Sequence, residues 1–180
     1  ILYAYVFDDE GESFEVRETE PGGAVKLGIA FETFSRWRKL RHDNPPALFT
    51  DLEHMGKGEA EAIYHEFYWK PMHGDELPSG VDYAVFDPVT IAGLSGGIKI
   101  LQRALGFDLN AVSGRMDEAT LAAVQNWKDV TGLISAICEK RLDYMQTRPG
   151  WAKYKRGWSA RVRRVNTRAR ALYAAPVEVT

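Results

Sequence analysis

Glu10-Gly11, followed after an acidic spacer by Glu20-Pro21-Gly22-Gly23-Ala24-Val25-Lys26-Leu27-Gly28-Ile29, is the stretch that decides how this sequence is interpreted. It places one carboxyl group at the predicted end of an apolar helix and a second one just before a glycine-rich turn. Glycoside hydrolysis needs such a pair, because one carboxyl group must stay protonated as general acid while the other stays ionised. The stretch suggests that chemistry, although acidic runs are also typical of a solvated surface and Pro-Gly-Gly of an ordinary turn.

Apolar residues at helical spacing predict a mainly α-helical fold with a small β-hairpin. Only Phe14-Glu15-Val16-Arg17-Glu18 alternates like a strand, which predicts a hairpin between the two carboxylates. Ser79 and Asp82 form a predicted capping box, and Pro88 is predicted to interrupt or kink the helix that follows. The other predicted helices are Phe31 to Leu40, Ala60 to Phe67 with its end at Pro71, Ser95 to Leu105, Asp117 to Val124, Ile134 to Met145 and Ser159 to Tyr173.

Length and composition predict one compact unit without metal or disulfide staples. At 180 residues with 45% hydrophobic and 27% charged residues, the chain is an ordinary globular sequence and not a disordered one. No apolar run approaches the roughly 18 residues of a membrane span, and residues 1–7 are too short for a signal-peptide core. Cys138 is expected to be a buried thiol that is not a nucleophile. We expect no cofactor and no metal, since the four histidines are scattered and no cysteine pair occurs.

The net charge of −2 hides an uneven distribution along the chain. Residues 1–20 contain seven acids and one base, whereas residues 139–180 contain eleven bases and three acids. A basic end favours anionic polymers, such as wall glycans with peptide carboxylates and phosphate-rich accessory polymers, but a solvated helix face is an equal alternative. Nucleic-acid binding by the arginines of residues 161–170 is a minor alternative, because the overall pI is about 6.1.

Short motifs in a fixed order resemble the glycoside hydrolase family 108 lysozymes, which include phage endolysins and muramidases that assist bacterial secretion. The family pattern opens with Glu-Gly-Gly-Tyr, a spacer, and Asp-Pro-Gly-Gly-Ala-Thr-x-Tyr-Gly-Ile, and it ends with a segment assigned to peptidoglycan binding. The matching pieces here are Glu10-Gly11, Glu20 to Ile29, Ala62-Ile63-Tyr64 with Tyr68-Trp69, Leu77 to Val81 with Phe86-Asp87, Leu101 to Gly106, Val112-Ser113-Gly114, Thr120 to Val124, Arg141, and Arg156-Gly157-Trp158 with Arg161-Val162.

Several positions depart from that pattern. Glu12 and Ser13 replace a glycine and a tyrosine, Glu20 replaces an aspartate, and the spacer is one residue longer. Val25 replaces a threonine that is thought to position the attacking water in phage-type lysozymes. Ile91 replaces an asparagine, and Pro88 replaces a helix-forming residue. These changes weaken the prediction of full activity more than they weaken the prediction of the fold.

The resemblance implies a lysozyme-like fold and an N-acetylmuramidase that cleaves peptidoglycan. Glu10 is the predicted general acid, and Glu20 is the candidate second carboxylate with Asp9 or Glu12 as competitors. Lys26, Tyr68, Trp69 and Trp158 are candidate substrate-binding residues, although core packing is the commoner role of such aromatics. The prediction is one module over 1–180, with a catalytic lobe 1–86 and a helical lobe 87–180.

The implied setting is that of a phage endolysin. We expect a monomer that is made in the host cytoplasm and acts on the cell wall or periplasm, with peptidoglycan strands as its partner, no nucleic acid and no stable membrane insertion. The alternative is a cell-wall binding or secretion-assisting module of the same fold with weakened turnover, as Val25, Ile91 and Ser13 would allow.

Overall fold

The structure is a computed structural model that describes residues 14–16, 23–42 and 46–175. These residues form a small antiparallel sheet and α-helices, which confirms the predicted mainly helical class. The chain makes two compact units, which divide between Phe67 and Tyr68. This division falls earlier than the predicted boundary between lobes 1–86 and 87–180, which stays a prediction.

The N-terminal unit contains the sheet. Its strands are β1 (Phe14–Val16), β2 (Ala24–Lys26) and β3 (Ile29–Ala30), in the order β1-β2-β3. Phe14 of β1 pairs with Lys26 of β2, and Lys26 pairs in turn with Ile29 of β3. The strand predicted at Phe14 is confirmed as β1, but its partner β2 begins at Ala24, beyond Glu20 in the sequence, so the hairpin is not confined between the two carboxylates as predicted.

Three α-helices follow the sheet: α1 (Phe31–Leu40), α2 (Phe49–Glu53) and α3 (Lys57–Tyr64), which continues into a π-helical turn at His65–Trp69. Helix α1 buries Phe34 and Trp37, two of the four residues on its predicted apolar face. The Trp37 indole N–H donates a hydrogen bond of 3.2 Å to Glu59, which ties α1 to α3. The predicted helices at Phe31 and Ala60 are confirmed.

The C-terminal unit is helical in its described part. It contains α4 (Val81–Ala104), α5 (Glu118–Gln125), α6 (Val130–Gln146) and α7 (Trp151–Ala174), with 3-10 turns at Gly74–Glu76 and Leu109–Ala111. Helix α4 packs against α6 and α7, and α6 packs against α7. Asp117 caps α5 as predicted, since its carboxylate accepts a hydrogen bond from the Thr120 backbone N–H. Helix α7 begins at Trp151, earlier than the predicted start at Ser159.

Two predictions about α4 are wrong. Ser79 does not cap the helix, because its hydroxyl donates to the Leu172 carbonyl, while Asp82 accepts from the backbone of Gly80 and Tyr83. The break lies not at Pro88 but at Gly93, whose φ of +73° is a conformation that glycine adopts easily. The segments before and after this break pack closely, because a Cβ on Gly97 would lie 2.3 Å from the side chain of Val89.

The same helix is the one described element that is long and apolar enough to cross a membrane. In the most apolar window of α4, 56% of the residues are buried inside the protein. Its buried residues include Tyr83, Phe86 and Leu101. Some core helices are as long and as apolar as a membrane-spanning helix, and α4 packs against α6 and α7 as a core helix does.

An ionic cluster lies inside the C-terminal unit. Asp87 of α4 is fully buried and contacts the Arg141 guanidinium of α6, which is 2% exposed. Arg161 of α7 donates a 3.2 Å hydrogen bond from Nε to Asp87 Oδ1, and its Nη2 lies 3.1 Å from the same oxygen. Burial lowers the pKa of Arg141, while the Asp87 carboxylate opposes that shift. The cluster thus joins three helices through one buried carboxylate.

Cys138 of α6 is buried, as expected. Burial raises the pKa of its thiol to about 11, so the thiolate is scarce at neutral pH.

Candidate active site

Both predicted catalytic carboxylates, Glu10 and Glu20, lie outside the described residues. The same holds for Asp9 and Glu12, the competitors of Glu20 as second carboxylate, and for Ser13. What the structure describes is the sheet that follows each of them in the chain, at Phe14 and at Ala24. The candidate site is therefore built from that sheet and the residues that hold it.

The turn between β2 and β3 is the most constrained element of the sheet. Lys26 pairs with Ile29, so the turn consists of Leu27 and Gly28, with φ values of +50° and +75°. Two positive φ values are typical of a type I′ hairpin turn, in which leucine is unusual because its Cβ crowds the backbone. Leu27 is nevertheless only 2% exposed, and its carbonyl accepts a 3.0 Å hydrogen bond from the Tyr64 hydroxyl. Packing by α3 thus holds the sheet in a conformation that local preference does not favour.

The glycine-rich segment before β2 is explained by close packing. Gly23 has a φ of +64°, and a Cβ at this position would lie 3.3 Å from the Phe49 ring of α2. Phe49 also packs edge-on against Phe31, with ring centroids 4.3 Å apart. The Pro-Gly-Gly motif therefore ends in a residue that brings the chain against α2 before the strand begins.

Val25 lies on the more open face of the sheet. It pairs with Glu15 of β1 and Ala30 of β3, and directly paired residues share a face. Val25 is half-buried, whereas its neighbour Ala24 on the opposite face is fully buried. The position that the family fills with threonine is thus not in the core, so a hydroxyl there would not be fully enclosed.

Lys26 points to the opposite face from Val25, the face that carries the buried side chains of Ala24 and Ile29. Its own side chain is half-buried. The structure places it at the end of β2 next to the constrained turn, and its role in substrate binding stays a prediction.

Tyr68 and Trp69 lie in the π-helical turn, and their environments differ. Tyr68 is half-buried. Trp69 is 7% exposed: its ring meets Phe86 edge-on at 5.6 Å, and a Cβ on Gly74 would lie 2.3 Å from it. The Trp69 indole N–H donates to Asp75 at 2.8 Å. This ring is covered on both sides, which favours packing over stacking on a sugar.

Trp158 belongs to an aromatic cluster at the start of α7. Its ring is stacked with Tyr154 at 5.8 Å and tilted against Trp151 at 6.3 Å. Tyr154 is 47% exposed, and Lys153 lies over its ring at 4.9 Å. The sequence singled out Trp158 alone, because the helix was predicted to begin only at Ser159; the cluster presents an open aromatic surface, unlike Trp69.

Asp82, which the sequence singled out only as part of a predicted capping box, is a carboxyl group with a perturbed pKa. Burial raises its pKa to about 6, the nearby Asp75 adds to the shift, and hydrogen bonds from the Tyr83 and Gly80 backbone partly oppose it. Perturbed groups of this kind are common at functional sites and also at buried helix ends. The sequence showed only a helix start here, since burial depends on how the unit packs.

Ile91, the other marked departure from the family, lies near the break in α4 and is 47% exposed. In the described part of the chain, no three histidine, cysteine, aspartate or glutamate side chains are grouped as metal ligands would be.

Similarity to known proteins agrees with the sheet and helices described above. The family described as glycosyl hydrolase 108 matches residues 3–93, a range that contains both predicted carboxylates and the whole sheet. The solved structure of Brucella abortus SagA is similar over 96% of this chain and 93% of that chain, with 32% sequence identity and a TM-score of 0.80. Among curated proteins, none matches significantly.

Proposed function

We propose that this chain, which belongs to the glycosyl hydrolase 108 family, is a peptidoglycan hydrolase that cleaves between N-acetylmuramic acid and N-acetylglucosamine. The observation that carries the proposal is the family match over residues 3–93. This range contains Glu10, Glu20 and the three strands of the sheet that precedes α1. The similarity of SagA over nearly the whole length supports the same assignment.

In the proposed mechanism, Glu10 protonates the glycosidic oxygen as the sugar ring gains positive charge. Glu20 would stay ionised, and it would either stabilise that charge or activate the attacking water. The sheet suits this task, because its turn is fixed by Tyr64 and its open face carries Val25 and Glu15. Positions held by secondary structure keep reacting groups aligned, which lowers the entropic part of the barrier.

The proposed setting is a phage endolysin that is made in the host cytoplasm and acts on the wall as a monomer. The basic C-terminal end, eleven bases against three acids in residues 139–180, would attract the anionic wall. The exposed aromatic surface of Tyr154 and Trp158 is the stronger candidate for sugar contact than the covered Trp69.

A second candidate function is a wall-binding or secretion-assisting module with weakened turnover. The specific observation in its favour is Val25, which offers no hydroxyl on the open face of the sheet. The two candidates differ in one property, since only the first releases soluble glycan fragments from the wall.

The test is clearing of outer-membrane-permeabilised cells by purified protein, together with the release of reducing sugars from isolated peptidoglycan. We expect the unaltered protein to be active. The rate of hydrolysis by Glu10→Gln should be about 10²- to 10⁴-fold lower, which is the usual contribution of general acid catalysis. Glu12→Gln examines a competitor of Glu20 as second carboxylate, and Glu53→Gln removes an exposed carboxylate on α2 as the matched control. A folded Glu10→Gln protein with unchanged rate would contradict the assignment of Glu10, and an inactive unaltered protein would favour the second candidate.

A further inference from the structure

The C-terminal unit contains a groove of 710 Å³ that no predicted site residue lines. It lies between the end of α4, the loop that follows α4, and the last turns of α6. Its side chains combine three cations, one carboxylate, two aromatic rings, a threonine and an exposed leucine.

The cations of the groove outnumber its single acid. Arg103, Lys140 and Arg148 line it together with Asp143. Lys140 and Asp143 form an exposed ion pair at 3.4 Å, and such pairs are weak. Within the described part of the chain, Arg103 has no ion-pair partner. The groove therefore presents a positive surface to a ligand, with one carboxylate beside it.

Arg148 is oriented before any ligand binds. Its guanidinium lies over the Tyr144 ring at 4.6 Å, and its Nε and Nη2 donate to the Thr147 hydroxyl at 3.3 and 3.1 Å. Nη1 makes no hydrogen bond to a described residue. A guanidinium fixed in this way loses little rotamer freedom when it binds a carboxylate.

The apolar part of the groove lining is anchored to the core. Leu109 is 80% exposed on the 3-10 turn, and Phe107 beside it is half-buried. The loop that carries them is tied to α4 by Gln102, which is fully buried. Gln102 accepts from the Gly114 N–H at 2.9 Å and donates to Ser113, to the Arg115 carbonyl and to Thr120. An exposed leucine held on such a loop is suited to contact a small apolar side chain.

We propose that this groove binds the stem peptide of the wall glycan, an inference that rests on the proposed function. A stem peptide carries free carboxylates, alanine methyl groups and one free amine. The carboxylates match the arginines of the groove, the methyl groups match Leu109, and the amine matches Asp143. A phosphate polymer matches less well, because it has no amine for Asp143 and no apolar side chain for Leu109. The enzyme would thus hold the peptide branch while another part of the chain acts on the glycan.

The test is calorimetric titration of the whole protein with the synthetic peptide N-acetyl-L-Ala-D-isoGlu-L-Lys-D-Ala-D-Ala, whose acetyl group leaves the lysine amine as its one free amine. We expect binding that is lost when both carboxylates are amidated. The double variant Arg103→Gln/Arg148→Gln should weaken binding about fivefold or more, since each exposed pair contributes a modest share. The matched control is Arg36→Gln/Lys39→Gln, which removes the same charge from exposed positions on α1, outside the basic end, and should bind like the unaltered protein.

Three results would overturn the proposal: equal binding of the amidated peptide, equal loss in the control double variant, or tighter binding of a ribitol-phosphate oligomer that is lost in Arg103→Gln/Arg148→Gln. Hydrolysis of glycan strands stripped of their peptides separates this inference from the proposed function. Cleavage of stripped strands without peptide binding would refute the groove alone. Peptide binding without any cleavage of wall or stripped strands would refute the hydrolase assignment alone.

Discussion

The Tyr64 hydroxyl donates a 3.0 Å hydrogen bond to the Leu27 carbonyl and thereby joins helix α3 to the turn of the sheet. Tyr64 is 2% exposed, and Leu27 is equally buried with a φ of +50°. Because the turn is not favoured by its own sequence, its conformation depends on this contact and on packing.

Tyr64→Phe keeps the ring but leaves the buried Leu27 carbonyl without this donor. The expected loss is about 1 to 3 kcal/mol in the free energy of unfolding, with a fall in hydrolysis because the sheet is less firmly held. Urea unfolding and reducing-sugar release measure the two effects. Tyr154→Phe, at an exposed tyrosine, is the control and should change stability by less than about 0.5 kcal/mol. An unchanged stability of Tyr64→Phe would show that packing alone holds the turn.

The fold was predicted well where it depends on local pattern. The apolar spacing of Phe31, Phe34 and Trp37 identified α1, and Asp117 identified the start of α5. Pro88 was misleading because it lies inside the first helical segment of α4, whereas the break falls at Gly93, whose positive φ suits glycine. The burial of Trp69, Asp82 and Gln102 follows from tertiary packing, which no spacing in the sequence reports.

Asp87 is expected to be the most sensitive charged residue of the C-terminal unit. Asp87→Asn leaves the guanidinium groups of Arg141 and Arg161 without their buried counter-charge, which should cost about 3 to 5 kcal/mol of stability. Asp143→Asn disrupts the exposed pair with Lys140 and should cost less than about 1 kcal/mol. Denaturant unfolding of both variants provides the comparison. Equal stability losses would mean that the buried cluster is no more important than a surface pair.

Asp82 should make stability depend on pH in the acidic range. Its folded pKa of about 6 exceeds the usual value of 3.8, so the native state favours the protonated form. Its stabilising contribution is complete below about pH 4 and is lost as the pH rises through 6. The unaltered protein should therefore lose about 1 to 3 kcal/mol relative to Asp82→Asn between pH 4 and pH 7.

Asp117→Asn is the control with the opposite sign. Hydrogen bonds from the Thr120 side chain and backbone lower the pKa of Asp117, so its contribution is present at neutral pH and is lost on acidification. Thermal melts from neutral pH to below pH 3.8, the usual pKa of an aspartate, distinguish the two variants. Parallel pH profiles for Asp82→Asn and the unaltered protein would refute a titrating role of Asp82.

Binding to insoluble peptidoglycan should weaken as salt is raised if the basic end holds the wall by charge. Exposed charges are screened over about 8 Å at physiological ionic strength, so pull-down with washed cell walls should fall steeply between low and high salt. Binding that does not change with salt would instead indicate stacking by Tyr154 and Trp158, and the variant Tyr154→Ala/Trp158→Ala should then lose it.

Val25→Thr examines the departure from the family that bears most directly on catalysis. If Val25 occupies the water-positioning place, the threonine hydroxyl can hydrogen-bond to the attacking water, and the rate of hydrolysis should rise. Val25 is half-buried and shares a face of the sheet with Glu15, so a threonine hydroxyl at this position would remain accessible. The loss in the free energy of unfolding should therefore be smaller than for a buried unpaired hydroxyl, which costs about 1 to 3 kcal/mol. Threonine also suits a strand.

Val16→Thr is the matched control, since Val16 is 61% exposed on β1 and pairs with Ala24, on the other face of the sheet. It makes the same chemical change but places the hydroxyl on the face of the sheet opposite to Glu15. It should alter neither the rate of hydrolysis nor the melting temperature. A rate increase in Val25→Thr alone supports the water-positioning role. Equal rates in both variants with intact stability would mean that another group orients the water and that the family threonine has no counterpart at Val25.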